Sequence, residues 1–251
     1  MTAFSSKYVQ TMYSFDMDSF FSGGYQQKSD RNSTYVVLYT HCLPSFFDLI
    51  EFLVEVHGFI SSNIFVLPKL YSAIPETVSR LEAFGVRVLP YKFDFELGHF
   101  DTSAEQNMAK ACLEAQALIR RQANHNEGRN RVILVDDGGL LTRSWTQICS
   151  GEHTDVVSIQ QTASGMFGAK KRTSVPYINV AQCAAKRWFE SKIIATGVLT
   201  KVSKLNNLHM TDTVGVAGYG AVGSALTDLL VKHGYKTIVH DRTSRQIPAK
   251  R

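Results

Sequence analysis

One segment constrains this chain more than any other: Thr213 to Asp241, which reads TVGVAGYGAVGSALTDLLVKHGYKTIVHD. A run of Val and Gly on strand-like spacing leads into Gly218-Tyr219-Gly220-Ala221-Val222-Gly223. An apolar-periodic helix follows to Lys232, His233-Gly234 stops it, and a second strand, KTIVH, ends at Asp241. Each part has a physical role in binding a dinucleotide. Gly218 allows the tight turn, Gly220 lets the backbone approach a pyrophosphate, and Gly223 lets helix and strand pack closely. The helix start at Ala221 and Val222 turns backbone N–H groups toward the anion. Asp241 stands 18 positions beyond Gly223 (241 − 223), where a carboxylate can accept hydrogen bonds from the adenosine ribose. The pattern predicts a nucleotide-binding βαβ unit; the alternative for the same residues is a glycine-rich packing turn.

At 251 residues and 44% hydrophobic content, the chain can bury a large core and part of a second domain. No apolar run approaches the ~20 residues of a membrane span. The opening MTAFSSKYVQTMYSFDMDSFF lacks the apolar core and cleavage site of a signal peptide, so a cytoplasmic location is expected. Cys42, Cys112, Cys149 and Cys183 are scattered without ligand spacing, which argues for reduced, buried thiols and against a metal site. The net charge of +5 is dispersed, and its densest groups lack interleaved aromatics. That reads as solvated surface and not as a nucleic-acid face, while a cationic cleft for an anionic dinucleotide fits the same charge.

Residues 1–33 read as an N-terminal extension ending in a loop. Strands are then expected at Tyr35–Tyr39, Asn63–Leu67, Val86–Leu89, Arg131–Val135, Asp155–Ile159 and Val175–Val180. Helices are expected at Ser45–His57, Pro75–Phe84, Thr102–Asn124 and about Gln182–Ile194. Alternation of this kind means an α/β fold with a parallel sheet. The predicted organisation is a parallel-sheet domain over 34–200, followed over 201–251 by the first βαβ part of a Rossmann domain.

Four segments of the first domain fall at predicted strand ends, where open α/β sheets hold ligands. They are Tyr39-Thr40-His41, Asp136-Asp137-Gly138-Gly139, Gln160 to Gly165, and Asn179-Val180 with Lys186 and Glu190 on the next helix. Two adjacent carboxylates before two glycines suit a ribose, a metal or a general base; an Asx-Gly turn with Asp as helix cap is the competing reading. Lys186 and Glu190, at i and i+4, share a helix face. They are either a surface ion pair of ~0.3 kcal/mol or, in a cleft, a lysine placed to shuttle protons. His41 taken alone reads as structural.

Together these segments resemble S-adenosylhomocysteine hydrolase. That family carries DDGGDLT at an acidic strand end, and Asp136 to Thr142 here read DDGGLLT. It carries a Glu-Glu-Thr-Thr-Thr-Gly tract, a Pro-x-Ile-Asn-Val strand leading to a helix with Lys and Asp four apart, and a GYGxVG turn. Here these appear in the same order as QQTASG, PYINVAQCAAKRWFES and GYGAVG. The resemblance covers residues 34 to 242 and is strongest from Arg131 onward.

The resemblance implies an NAD-dependent hydrolase that cleaves S-adenosylhomocysteine, or a related nucleoside thioether, to adenosine and a thiol. In that family a ribose hydroxyl is transiently oxidised so that the neighbouring C–H becomes acidic. Carried over by position, Asp137, Gln161, Lys186 and Glu190 are the catalytic set, and His41 and Asp136 face the substrate. Thr162, Ser164 and Ser191 join Gly218, Gly220, Ala221, Val222, Gly223 and Asp241 around NAD. Five departures accompany it. Gln161 stands where the family has a ribose-binding Glu, Glu190 replaces Asp, Ala163 replaces a Thr, and Ala181 and Ser191 replace Asn. The rest of the cofactor domain would come from another chain or a longer native product, and the unpaired edge of the half Rossmann unit makes a homo-oligomer the expectation. A catalytically inactive nucleoside- or NAD-binding protein is the alternative. Asp241 favours NAD over NADP, with Arg242 beside it.

Overall fold

The computed structural model describes residues 32–89, 100–123, 130–148, 155–163, 175–206, 209 and 211–242. The fold is α/β. Six strands form one sheet in the order β3-β2-β1-β4-β5-β6, and two more form a second sheet. The six are β1 (Thr34–Thr40), β2 (Ile64–Pro68), β3 (Arg87–Val88), β4 (Arg131–Asp136), β5 (Asp155–Gln160) and β6 (Tyr177–Asn179). This is the strand order of a doubly wound sheet. The pairs β1–β2, β2–β3 and β5–β6 are parallel.

The chain divides into two compact units, 1–133 with 148–156, and 134–147 with 157–251. In the first, every residue of β1 and β2 is buried, the signature of strands covered on both faces. Helix α1 (Pro44–Glu55) begins with proline in its first turn and buries Phe46, Phe47 and Ile50. Helix α2 (Pro75–Ala83) starts the same way and buries Thr77 and Leu81. Helix α3 (Phe100–Ala123) buries Met108, Ala111, Cys112, Ala115 and Ile119, a 3–4 spacing along one face.

In the second unit, α4 (Leu140–Ile148) follows β4 and buries Leu141, Thr142, Ser144 and Trp145. A π-helical turn at Ala185–Glu190 leads into α5 (Ser191–Asn206). Strand β7 (Thr213–Ala217), helix α6 (Ala221–Lys232) and strand β8 (Lys236–His240) complete the βαβ unit, with β7 and β8 parallel. Helix α6 ends in a Schellman cap, since Tyr235 N donates to Leu230 O at 3.0 Å and Gly234 N to Val231 O at 3.0 Å. The stop expected at His233-Gly234 is therefore made by backbone bonds.

Two helices differ from expectation. Helix α4 lies outside the expected helices. The pattern predicts a helix to about Ile194 followed by a helical or linker stretch near 195–210, and α5 runs unbroken to Asn206. The reason is tertiary: Leu199 packs with Val216 and Leu230 into one small core, bordered by Val214, Leu226, Leu229, Tyr235 and Val239. The second half of α5 thus helps to cover the βαβ unit.

Candidate functional site

The glycine loop between β7 and α6 can be tested residue by residue. Gly218 has φ +98°, a left-handed conformation open to glycine and strained for other residues. A Cβ on Gly223 would stand 1.9 Å from Gly218 O, so only a hydrogen atom fits where the first turn of α6 crosses the loop. Gly220 differs from both, because its φ is −78° and a Cβ there would meet nothing within 4 Å. Neither strain nor crowding within the chain requires glycine at 220. The space beside it lies at the first turn of α6, whose cap residue makes no side-chain hydrogen bond. That leaves the helix start suited to an anion, with Ala221 and Val222 supplying the first backbone N–H groups.

Asp241 closes the other side of this loop. Its Oδ2 accepts a hydrogen bond from Tyr219 N at 2.8 Å, and Gly218 N donates to His240 O at 2.7 Å. The end of β8 is thereby fixed against the glycine turn.

At the end of β4, the two adjacent acids separate. Asp136 is fully sealed; its Oδ1 accepts from Gly139 N at 3.1 Å and its Oδ2 from Thr142 N at 2.7 Å. These bonds tie the carboxylate to the start of α4, as the capping alternative anticipates. Asp137 is 7% exposed. Burial pushes the Asp136 carboxyl above the ordinary carboxylate range, against the opposing pull of hydrogen bonds from Thr142, Gln160 and Gly139.

Behind Asp136 lies a polar network that the sequence reading passed over. Thr142 Oγ1 and Ser158 Oγ are 2.7 Å apart, and Gln160 Nε2 donates to both, at 2.8 and 2.7 Å, with Asp136 Oδ2 at 3.4 Å. All four residues are essentially inaccessible. The available signal was the alternation in β5: in DVVSIQ, Ser158 and Gln160 sit two apart on the face that turns out to be buried. Gln161 lies just past the strand, its N–H bonded to Asp136 O at 2.9 Å.

Lys186 and Glu190 occupy the π-helical turn, a geometry that recurs at functional sites. Lys186 Nζ lies 3.1 Å from Glu190 Oε2, and the side chains are 32% and 43% exposed. Ser191 is buried, and its hydroxyl donates to Arg187 O at 2.7 Å. Thr162 follows β5 directly, whereas Ser164 lies outside the described residues, as do the expected N-terminal extension before Asn32 and Cys149.

His41 belongs to the first unit. Its Nδ1 is 2.6 Å from Ser72 Oγ, and that hydroxyl donates to Lys69 O at 3.0 Å. A hydroxyl has one proton, so His41 Nδ1–H is the donor in this pair. The imidazole also meets the Tyr71 ring edge-on, with centroids 5.5 Å apart. Among the described residues, no three His, Cys, Asp or Glu side chains are grouped to hold a metal ion, and no helix is long and apolar enough to cross a membrane.

Comparison with known proteins adds little chemistry. No family model matches the chain. Two relatives from Mycobacterium tuberculosis are each 30% identical over 224 residues: the uncharacterized protein Rv0104 of strain H37Rv and the uncharacterized protein MT0113 of strain CDC 1551. The alignment covers 86% of this chain but 42% of each relative, so the chain spans less than half their length. Among solved structures, a T.th. threonine deaminase aligns over 88% of this chain and 78% of its own, at 12% identity and a TM-score of 0.24. No inference about this chain follows from a likeness of that size.

Proposed function

We propose that this chain is an adenosylhomocysteinase-like protein that binds NAD and a nucleoside thioether, and hydrolyses the thioether to a nucleoside and a thiol. The observation that carries the reading is the glycine loop. Gly218 and Gly223 are required by the fold itself, whereas Gly220 leaves space beside a helix start, opposite an acid held at the end of β8. These residues fit a dinucleotide. Gly220 with the N–H groups of Ala221 and Val222 would receive the pyrophosphate, and Asp241 the adenosine ribose. Thr162, Ser164 and Ser191 would border the nicotinamide side. When bound, NAD supplies reversible hydride transfer at a ribose hydroxyl.

The remaining roles belong to the chain's own side chains. Lys186, held by Glu190 at 3.1 Å, carries a proton to and from a substrate hydroxyl. Gln161 orients a second hydroxyl through its amide. Asp137, beside the sealed Asp136, accepts a proton at the reacting face, and the resemblance assigns His41 to the substrate. The two-stranded β7–β8 sheet, with Ile238 60% exposed, favours association with a second copy in the cytoplasm.

A catalytically inactive binding protein is the second reading. It is favoured by the neutral Gln161, where the resembling family has an acid, and by the exposure of the Lys186–Glu190 pair.

The deciding experiment denatures the purified protein and identifies released nucleotide by mass spectrometry, followed by S-adenosylhomocysteine hydrolysis with and without Lys186→Ala. Stoichiometric NAD, with turnover that Lys186→Ala abolishes, is the expected result. An empty protein that takes up no added NAD would overturn the enzymatic reading; bound NAD without turnover leaves the second.

A further inference from the structure

We propose that the side-chain oxygens of Gln160 and Asn179 form a receptor for one planar amino group of a bound ligand, an –NH2 on an aromatic ring or in a primary carboxamide. The inference rests on the reading of this unit as nucleotide-binding, and it names the part of the ligand that these two residues recognise.

The starting observation is a pair of orphans. Gln160 Oε1 and Asn179 Oδ1 are both sealed from solvent, and neither has a hydrogen-bond partner among the described residues. Buried polar atoms are satisfied in folded proteins as a strong rule, so two such acceptors side by side are suited to a ligand's donor. They are also neighbours. Gln160 and Asn179 are register partners across the parallel strands β5 and β6, so their side chains leave the same face of the sheet.

In the structure the nitrogen end of the Gln160 amide lies against Ser158 Oγ, Thr142 Oγ1 and the Asp136 carboxyl, all of which can accept from its two N–H groups. The oxygen points away from this network. The same network sharpens it as an acceptor, because an amide whose N–H groups are engaged by hydroxyls and a buried carboxylate is polarised toward its oxygen.

Geometry selects the donor. Side chains leaving one face of adjacent strands start about 4.8 Å apart. A planar amino group points its two N–H bonds roughly 120° apart, so with bonds of about 2.9 Å its two acceptors stand roughly 5 Å from each other. A ketone or ring oxygen brings only lone pairs to this position and is repelled. Access lies on the Asn179 side, since that residue is half-buried whereas Gln160 is sealed.

Two sources carry this chemistry, an aminopurine base and a nicotinamide carboxamide, and paired ligands separate them. Calorimetric titration of the full chain compares adenosine with inosine, and NAD with nicotinic acid adenine dinucleotide. The expected result is a preference of roughly 30-fold or more for the amino member of one pair, which identifies the source. The preference should fall to within about threefold in Asn179→Leu, with a thermal melt confirming the fold. Asn179→Ala serves if the leucine variant does not fold. Equal affinity within both pairs, or a preference that survives the Asn179 variants, would mean that the two oxygens hold a structural water. The proposal would then fall while the nucleotide-binding reading stands. Binding of none of the four ligands removes that reading and this inference together.

Discussion

Three alanine substitutions in the second unit test whether each glycine is required by conformation, crowding or a ligand. Gly223→Ala is the decisive one. On helix propensity alone it should stabilise α6 by up to ~1 kcal/mol. The structure predicts the opposite sign, because the new Cβ would stand 1.9 Å from Gly218 O and 2.9 Å from Gly218 C. Real Cβ contacts essentially never fall under 3.0 Å, so loop and helix must separate by about 1.1 Å, 3.0 − 1.9. The obstructing atoms are backbone, held by the Gly218 N–H bond to His240 O at 2.7 Å. Overpacking costs ~1–3 kcal/mol, and against an obstacle of backbone the upper part of that range, ~2–3 kcal/mol, exceeds the propensity gain. The net expectation is a loss of about 1–2 kcal/mol, or roughly 2–8 °C in Tm for a chain of this size. Gly197→Ala is the control: it lies within α5 and meets nothing within 4 Å, so stability should rise by roughly 0.5–1 kcal/mol. Gly220→Ala should leave stability within ~0.5 kcal/mol and yet weaken NAD binding more than about tenfold, because its methyl fills the space proposed for the pyrophosphate. Urea denaturation and NAD titration read all three. Equal stability of Gly223→Ala and the parent would refute the crowding argument, and unchanged NAD affinity in Gly220→Ala would refute the assignment of that space.

Two further outcomes are expected. The Asp136 pKa is raised in the folded state, so its contribution to stability is complete below the unfolded carboxylate value of about 3.9 and is lost as pH rises through the raised folded value. Denaturation of Asp136→Asn and the parent at pH 4 to 8 should show the difference moving in favour of the variant as pH rises, by at most ~1.4 kcal/mol per pH unit. A drift the other way would mean that the three donors outweigh burial. Gln161→Glu should raise hydrolysis of S-adenosylhomocysteine by restoring an acid at a ribose hydroxyl, measured as kcat/KM; no gain over the parent places Gln161 elsewhere.

Local signals in the chain were sufficient for much of this. Period-2 and period-3.6 apolar patterns, proline at helix starts and glycine at helix ends located the strands and, α4 apart, the helices of both units, because these signals act within a few residues. The roles of Gly218 and the His233-Gly234 stop were legible for the same reason: a left-handed turn and a Schellman cap are made by neighbouring backbone. What the sequence could not separate were residues identical in type and adjacent in position. Asp136 and Asp137 read alike, yet packing of α4 against the sheet sealed Asp136 and gave its oxygens to Gly139 and Thr142. Contacts distant in sequence, Leu199 with Val216 and Leu230, carried α5 past its expected end. Strand register alone placed Gln160 beside Asn179, 19 positions along the chain (179 − 160). The sequence determined which segments are strands, helices and turns, because that choice is local. The tertiary structure decided which polar groups are buried together, because burial depends on what packs against a residue from elsewhere in the chain.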